Sequence, residues 1–152
     1  MYQIAVCEDD VSVRESLCRM CGEILEDADV THGVTPFDSA EALESALAAG
    51  ARFDLLCLDI LMDGKTGMEF ARQLREKDEK TSILFITNSE EFLRAGYEVR
   101  PIQYLFKPVR REQLARALER TGLAGRISAI GSDIFSENIE NLKKNVFQNL
   151  IF

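Results

Sequence analysis

Residues 4–10 are Ile-Ala-Val-Cys-Glu-Asp-Asp, and residues 55–59 are Leu-Leu-Cys-Leu-Asp. Both stretches are apolar runs that end in carboxylates, and continuous apolar runs are typical of strands buried on both faces of a parallel sheet. If the two strands are neighbours, their carboxyl ends place Glu8, Asp9 and Asp59 in one crevice. Carboxylates this close repel one another unless a cation holds them, and oxygen-only ligands suit Mg²⁺ better than a soft metal. The two stretches therefore predict a Mg²⁺ site beside one reactive aspartate.

Strand and helix patterns alternate over residues 1–121. This alternation predicts an α/β fold with a doubly wound parallel sheet. Gly33 and Pro36 favour an edge position for the second strand, and Ser39 and Gly50 are expected to begin and end the second helix. The predicted strands are residues 2–7, 30–37, 54–58, 82–86 and 103–106, and the predicted helices are residues 10–28, 40–49, 67–77, 90–99 and 110–120.

The composition of the chain restricts its partners. Its 152 residues suit one domain, and its net charge of -8 argues against a nucleic-acid-binding surface, which needs clustered Lys and Arg. No apolar stretch approaches the ~20 residues of a membrane helix, and the acidic residues 8–10 do not fit a signal peptide. We therefore expect a cytoplasmic protein that binds neither membranes nor, directly, nucleic acid.

The positions of the four cysteines in the sequence indicate a structural role rather than a redox or metal-binding one. Cys7 and Cys57 lie inside apolar runs and are expected in the core. Cys18 and Cys21 have a C-x-x-C spacing, but they fall within a predicted helix and no second Cys or His pair completes a zinc site. Disulfides are not expected in the cytosol. The lone His32, in the second predicted strand, is assigned no role.

Polar residues at the ends of four predicted strands carry a resemblance to a known family. They are Glu8-Asp9 after the first strand, Asp59 after the third, Thr87 after the fourth, and Tyr104-Leu105-Phe106-Lys107-Pro108 at the fifth. Their order resembles the receiver domain of bacterial response regulators in two-component signalling. Residues 97–109 are also similar to the receivers of LytTR-type transcription regulators.

The resemblance implies a flavodoxin-like (βα)5 receiver fold over residues 1–121, with a parallel five-stranded sheet of order 2-1-3-4-5. It implies that Asp59 is the phosphoacceptor for a sensor histidine kinase. It also implies that Mg²⁺ is held by Asp9 and Asp59 directly, by the backbone carbonyl of Leu61, and by Glu8 through water. Such a receiver is a signalling protein, with at most self-phosphorylation and slow autodephosphorylation.

The resemblance further implies that Lys107 and Thr87 contact the phosphoryl oxygens, and that Lys107-Pro108 is a cis peptide. Thr87 and Tyr104 would form the switch, and Tyr104 could instead be a fixed, half-buried aromatic on an edge strand. Dimerisation would use the face of the fourth helix, fifth strand and fifth helix. Asp63 and Thr66 depart from the family pattern, in which the loop after the phosphoacceptor usually carries a proline and often an acidic residue.

Residues 122–152 are expected to lie outside the receiver. Glycines and serines suggest a linker, and residues 137–150 form an amphipathic pattern through Ile139, Leu142, Val146 and Leu150. This segment is too short for a DNA-binding domain. The chain is therefore either a receiver without its output domain or a stand-alone receiver, and the tail either docks or dimerises or is foreign to the natural protein.

Three other function classes compete with this interpretation. A phosphohydrolase of the haloacid dehalogenase kind has an Asp-x-Asp motif, but residue 61 is Leu. A flavodoxin-like flavin binder cradles phosphate after its first strand, where residues 8–10 would repel it. A receiver-like interaction module that is never phosphorylated remains the alternative function, because it can keep every one of these residues.

Overall fold

A parallel sheet of five strands forms the centre of the protein, in the order β2-β1-β3-β4-β5. The computed structural model describes residues 1–88, 90–91, 93–94 and 98–123. The α/β class predicted from the alternating pattern is confirmed, and so is the strand order that the family resemblance implies. The strands are β1 (Tyr2–Cys7), β2 (His32–Phe37), β3 (Leu55–Leu58), β4 (Ser82–Thr87) and β5 (Gln103–Phe106).

Four α-helices connect and cover the strands in the part of the chain that is described: α1 (Val11–Asp27), α2 (Ala40–Ala48), α3 (Gly67–Lys77) and α4 (Arg111–Leu118). The last helix was predicted over residues 110–120, but the α-helix ends at Leu118. The chain then changes to a π-helical turn over Glu119–Leu123. Residues 137–150, predicted as an amphipathic helix, lie outside the described residues.

The helix predicted over residues 90–99 is wrong for the residues that are described there. Glu91, Leu93 and Arg94 form turns, and Glu98 and Val99 form a short 3-10 turn. Residues 92 and 95–97 are not described. The stretch contains Gly96, and glycine disfavours a helix by about 1 kcal/mol relative to alanine.

Side-chain caps explain where three helices begin. Asp10 accepts a hydrogen bond from the N–H of Val13 at 3.1 Å, so it is the cap of α1 rather than its first residue. Ser39 caps α2 as predicted, and Thr66 caps α3. Each cap satisfies a backbone donor that the first turn of a helix leaves unpaired.

The core lies in two layers, one on each face of the sheet. Ile4 and Val6 of β1 pack with α1 and α4, whereas Ala5 and Cys7 pack with α2 and α3. Because both faces are covered, successive residues of the central strands are buried, which explains their continuous apolar sequence. β2 is an edge strand that pairs with β1, as Gly33 and Pro36 predicted.

The four cysteines are unpaired. Cys7, Cys21 and Cys57 are buried and Cys18 is half-buried, and C-x-x-C lies within α1 as expected. Among the described residues, no helix combines the length and the apolar character that crossing a membrane requires.

Candidate functional site: an acidic cluster at the carboxyl edge of the sheet

The register of β1 and β3 brings the first two acidic stretches together. Cys7 is opposite Leu58, and the N–H of Asp59 donates to the carbonyl of Cys7 at 3.0 Å. The next residues, Glu8 and Asp59, therefore leave the sheet side by side, at the point where the strand order reverses. Carboxylate oxygens of Glu8, Asp9 and Asp59 lie within 4.8 Å of one another.

Two of these three carboxylates are buried. Glu8 is 1% exposed and Asp59 is 5% exposed, whereas Asp9 is exposed. Burial raises the pKa of Glu8 to about 7, against the lowering effect of its contacts with Lys107 and the Asp10 N–H. A carboxylate resists ionisation in this position because both desolvation and its acidic neighbour favour the protonated form.

Lys107 faces the two buried carboxylates from the end of β5. Its Nζ lies 2.9 Å from Oδ2 of Asp59 and 2.6 Å from Oε2 of Glu8. Burial alone would lower the pKa of Lys107, but the contacts with Glu8 and Asp59 outweigh it and raise the pKa above the ordinary lysine value. The lysine is therefore a fixed positive charge at the cluster.

Thr87 lies next to Lys107 at the same edge of the sheet. It is the last residue of β4, it is fully buried, and its carbonyl accepts the N–H of Lys107 at 3.0 Å. The peptide bond between Lys107 and Pro108 is cis, as predicted. The sequence thus placed Thr87 and Lys107 at the correct strand ends.

The loop between β3 and α3 folds back over the cluster. The N–H of Leu61 donates to Oδ1 of Asp59 at 3.2 Å, and the N–H of Asp63 donates to Oδ2 of Asp9 at 3.3 Å. Gly67 closes the loop through its N–H to the Ile60 carbonyl at 2.9 Å. A Cβ on Gly67 would lie 2.0 Å from the carbonyl oxygen of Asp59, so only glycine fits there.

Arg14 also belongs to this site, although the sequence analysis did not identify it. Its Nη1 donates to the carbonyl of Glu8 at 2.8 Å and lies 3.5 Å from that of Asp9. Side chains of a helix lean toward its amino end, so Arg14, four residues after the cap Asp10, extends back over the turn that carries both acids. The four-residue spacing between Asp10 and Arg14 is the feature of the sequence that could have identified this contact.

A family model for the response regulator receiver domain matches residues 4–119. The chain belongs to this family. Receiver domains are signalling modules rather than classical enzymes, they interact with histidine kinases, and they bind Mg²⁺ at an acidic pocket.

Curated relatives include regulators from several bacteria. The receiver is 30% identical over 124 residues to the positive alginate biosynthesis regulatory protein of Pseudomonas aeruginosa, covering 82% of this chain and 48% of that protein. It is 24% identical over 122 residues to the sensory transduction protein LytT of Bacillus subtilis, covering 79% and 48%. The chain thus spans about half the length of the curated relatives it matches.

Solved structures agree with this fold. The chemotaxis protein CheY4 of Vibrio cholerae superimposes with a TM-score of 0.67 at 27% identity, covering 80% of this chain and 98% of that one. The response regulatory domain of mrkE from Klebsiella pneumoniae gives a TM-score of 0.71 at 20% identity, covering 80% and 96%.

Tyr104 of the receiver has its side chain in the core. It is buried, stacks on Phe85 with ring centroids 5.3 Å apart, and donates its hydroxyl to the Leu93 carbonyl at 3.3 Å. Burial raises the pKa of Tyr104 to about 12. Tyr104 is therefore buried more deeply than in the alternative prediction, which made it a half-buried aromatic on an edge strand.

The donor set of the receiver fits a hard divalent cation. Three carboxylates offer oxygens within 4.8 Å of one another. The buried Oε2 of Glu8 lies 2.6 Å from Lys107 but has no hydrogen bond of normal geometry within the described part of the chain. Mg²⁺ would offset the excess negative charge, and water bound to it could donate a hydrogen bond to this carboxylate oxygen.

Proposed function

We propose that this chain is the phosphoacceptor receiver of a two-component system, in which Asp59 accepts a phosphoryl group from a sensor histidine kinase. The observation that carries the proposal is the 2.9 Å contact between Lys107 and Asp59, beside the carboxylates of Glu8 and Asp9. A single aspartate after a strand is often a simple turn residue. A fixed cation and further carboxylates around it are the groups that phosphoryl transfer requires.

The transfer forms a bond between a carboxylate oxygen of Asp59 and phosphorus, and it breaks the P–N bond of the phosphohistidine, whose imidazole leaves with the electron pair. Two donors orient the carboxylate: Oδ1 accepts the Leu61 N–H and Oδ2 contacts Lys107. Lys107 then offers its positive charge to the phosphoryl oxygens, and Thr87 offers a hydroxyl donor from the adjacent strand end.

Asp9 and Asp59 are the proposed direct ligands of Mg²⁺, with the Leu61 carbonyl as a third and Glu8 acting through water. The ion, when bound, offsets the repulsion between the carboxylates and the phosphoryl oxygens. The closeness of the three carboxylates supports this set. Arg14 holds the turn that carries Glu8 and Asp9.

The proposed switch couples Asp59 to Thr87 and Tyr104. A phosphoryl group is useful as a signal only if it favours one of two conformations. Tyr104 contacts the β4–β5 connection through Leu93, so movement of this segment and repacking of Tyr104 would occur together. The proposed dimer face consists of that connection, β5 and α4, which is the fifth of the predicted helices.

The proposed output is transcriptional, of LytTR type, and resides outside the receiver. The names of the Pseudomonas aeruginosa and Bacillus subtilis relatives describe a regulatory and a sensory transduction protein. The net charge of -8 supports a receiver that does not itself bind DNA. The receiver boundary at residue 121 and a cytoplasmic location are parts of the same proposal.

Intact mass spectrometry after incubation with acetyl phosphate, with and without Mg²⁺, tests the proposal. We expect a Mg²⁺-dependent gain of one phosphoryl group that maps to Asp59 and is absent in Asp59→Asn. Undiminished labelling of Asp59→Asn would refute the site. No gain by the wild type, with Mg²⁺ binding demonstrated, would favour the interaction module that is never phosphorylated.

A further inference from the structure

We infer that Glu41, on α2, is a positioning residue for the metal site, because it anchors the β3–α3 loop from outside the acidic cluster. The inference rests on the proposed function, since this loop supplies the Leu61 carbonyl as a ligand. Glu41 is exposed and is not one of the clustered carboxylates. Its effect on the ion is therefore exerted through the loop backbone.

The loop contacts its surroundings at both ends. At the end near the site, the N–H groups of Leu61 and Asp63 donate to Asp59 and Asp9 at 3.2 and 3.3 Å. Both acceptors are proposed metal ligands, so this end of the loop depends on the same carboxylates that would bind the ion. At the far end, the N–H of Lys65 donates to Oε1 of Glu41 at 2.8 Å. This acceptor is shared with no proposed ligand.

The backbone at position 64 favours glycine and brings the loop close to Glu41. Gly64 has a positive φ of 80°, and a Cβ there would lie 2.9 Å from Oε1 of Glu41. The hydrogen bond from the Lys65 N–H lowers the pKa of Glu41, so the acceptor is a carboxylate at neutral pH. The turn at Gly64 thus directs the Lys65 N–H at a charged acceptor.

The side chain of Lys65 makes a separate set of contacts. Its ammonium binds Glu44 of α2 and Gln73 of α3. These contacts join the two helices through a flexible side chain, whereas the Glu41 contact fixes the main chain itself. Glu44 therefore provides a matched comparison: it lies one turn from Glu41, carries the same charge and contacts the same lysine.

Loss of the Glu41 acceptor removes the backbone hydrogen bond at Lys65, and Mg²⁺ binding must then fix this turn without it. We expect Glu41→Ala to weaken Mg²⁺ binding by about 3- to 10-fold, the effect of one lost charge-assisted hydrogen bond outside the ligand set. The phosphorylation rate at saturating Mg²⁺ should remain within about twofold of the wild type, because the bound ion then orders the loop.

Isothermal titration calorimetry of the full chain with Mg²⁺ tests the inference. Glu41→Gln keeps an acceptor oxygen without the charge, and Glu44→Ala removes a charge without touching the backbone bond, so both should bind within about twofold of the wild type. Gly64→Ala makes the Glu41 carboxylate shift and strains the turn backbone at a φ of 80°, so it should also weaken binding.

Four outcomes are possible, and each decides the matter. Weakening in Glu41→Ala and Gly64→Ala alone supports the inference. Wild-type affinity in Glu41→Ala, or equal weakening in Glu41→Ala and Glu44→Ala, overturns it, since the second result shows only a charge effect. Absence of Mg²⁺ binding by the wild type would instead overturn the proposed function itself.

Discussion

The ammonium of Lys107 lies 2.9 Å from Oδ2 of Asp59, although 48 residues separate the two in the sequence. β4 lies between the strands that precede them, so the lysine extends across two strand spacings of about 4.8 Å each. The same ammonium contacts Glu8. One cation thus joins three strand ends, and it is the only described positive charge that contacts both buried carboxylates.

Replacement of Lys107 should separate catalysis from metal binding. Lys107→Met keeps most of the side-chain length but removes the charge, and we expect phosphorylation at saturating Mg²⁺ to slow by about 10²- to 10³-fold. Mg²⁺ affinity should stay equal or increase, because the ammonium no longer competes for Glu8 and Asp59. Rates with acetyl phosphate and calorimetric Mg²⁺ titrations measure the two effects. The exposed Lys77→Met is the control, and an equal rate in both variants contradicts the assigned role.

Two glycines should respond to alanine with opposite signs. Gly67→Ala places a Cβ 2.0 Å from the Asp59 carbonyl, and we expect it to lower the free energy of unfolding by about 3 kcal/mol or more. Gly22→Ala, inside α1, meets no atom closer than His32 Nε2 at 3.9 Å apart from the backbone of its own helix, and it should raise stability by about 0.5–1 kcal/mol. Urea unfolding measures both, and a stable Gly67→Ala would disprove the close approach of the loop.

The sequence predicted the bounds of some strands and helices and missed others by one or two residues. β1, β5 and α3 have the predicted bounds because apolar patterns and polar ends coincide there. The start of β2 was wrong by two residues: the N–H of Val30 bonds to the Leu25 carbonyl, so Val30 completes the end of α1 instead of pairing with β1. Asp54, predicted as the first residue of β3, lies one residue before the strand; its N–H donates to the Gln3 carbonyl and its carboxylate accepts the Gln3 N–H.

The site residues also fall into two groups: those whose positions the sequence predicts and those whose positions it does not. Glu8, Asp59 and Thr87 directly follow or end strands, so the sheet determines their positions and the sequence is sufficient to predict their proximity. Arg14 and Glu41 act through side chains on helices, and their contacts depend on how each helix packs against a loop. A periodic pattern gives the buried face of a helix but not the loop that its polar face meets.

Tyr104 should contribute to stability in two separable ways. Tyr104→Phe keeps the stacking on Phe85 and loses the hydroxyl bond to the Leu93 carbonyl, so we expect a loss of about 0.5–1.5 kcal/mol. Tyr104→Ala also removes the buried ring and should cost about 3–5 kcal/mol. Urea unfolding at fixed pH compares them. Equal losses would mean that the ring contributes nothing, against its observed burial.

Asp78 should make stability depend on pH in the acidic range. Partial burial raises its pKa, but hydrogen bonds from the Thr81 side chain and from the N–H groups of Thr81 and Lys80 outweigh it and hold the pKa below the ordinary 3.8. The folded form therefore binds its proton less readily than the unfolded form, and the stabilisation is complete above pH 3.8 and lost as the pH falls through the folded pKa.

Asp78→Asn should lower stability by about 1 kcal/mol at pH 7, since solvent screens this partly exposed group, and by less at pH 2.5. Urea unfolding at both pH values, with the exposed Glu79→Gln as control, tests this. A difference that is equal at the two pH values would exclude the charge of Asp78 as its source.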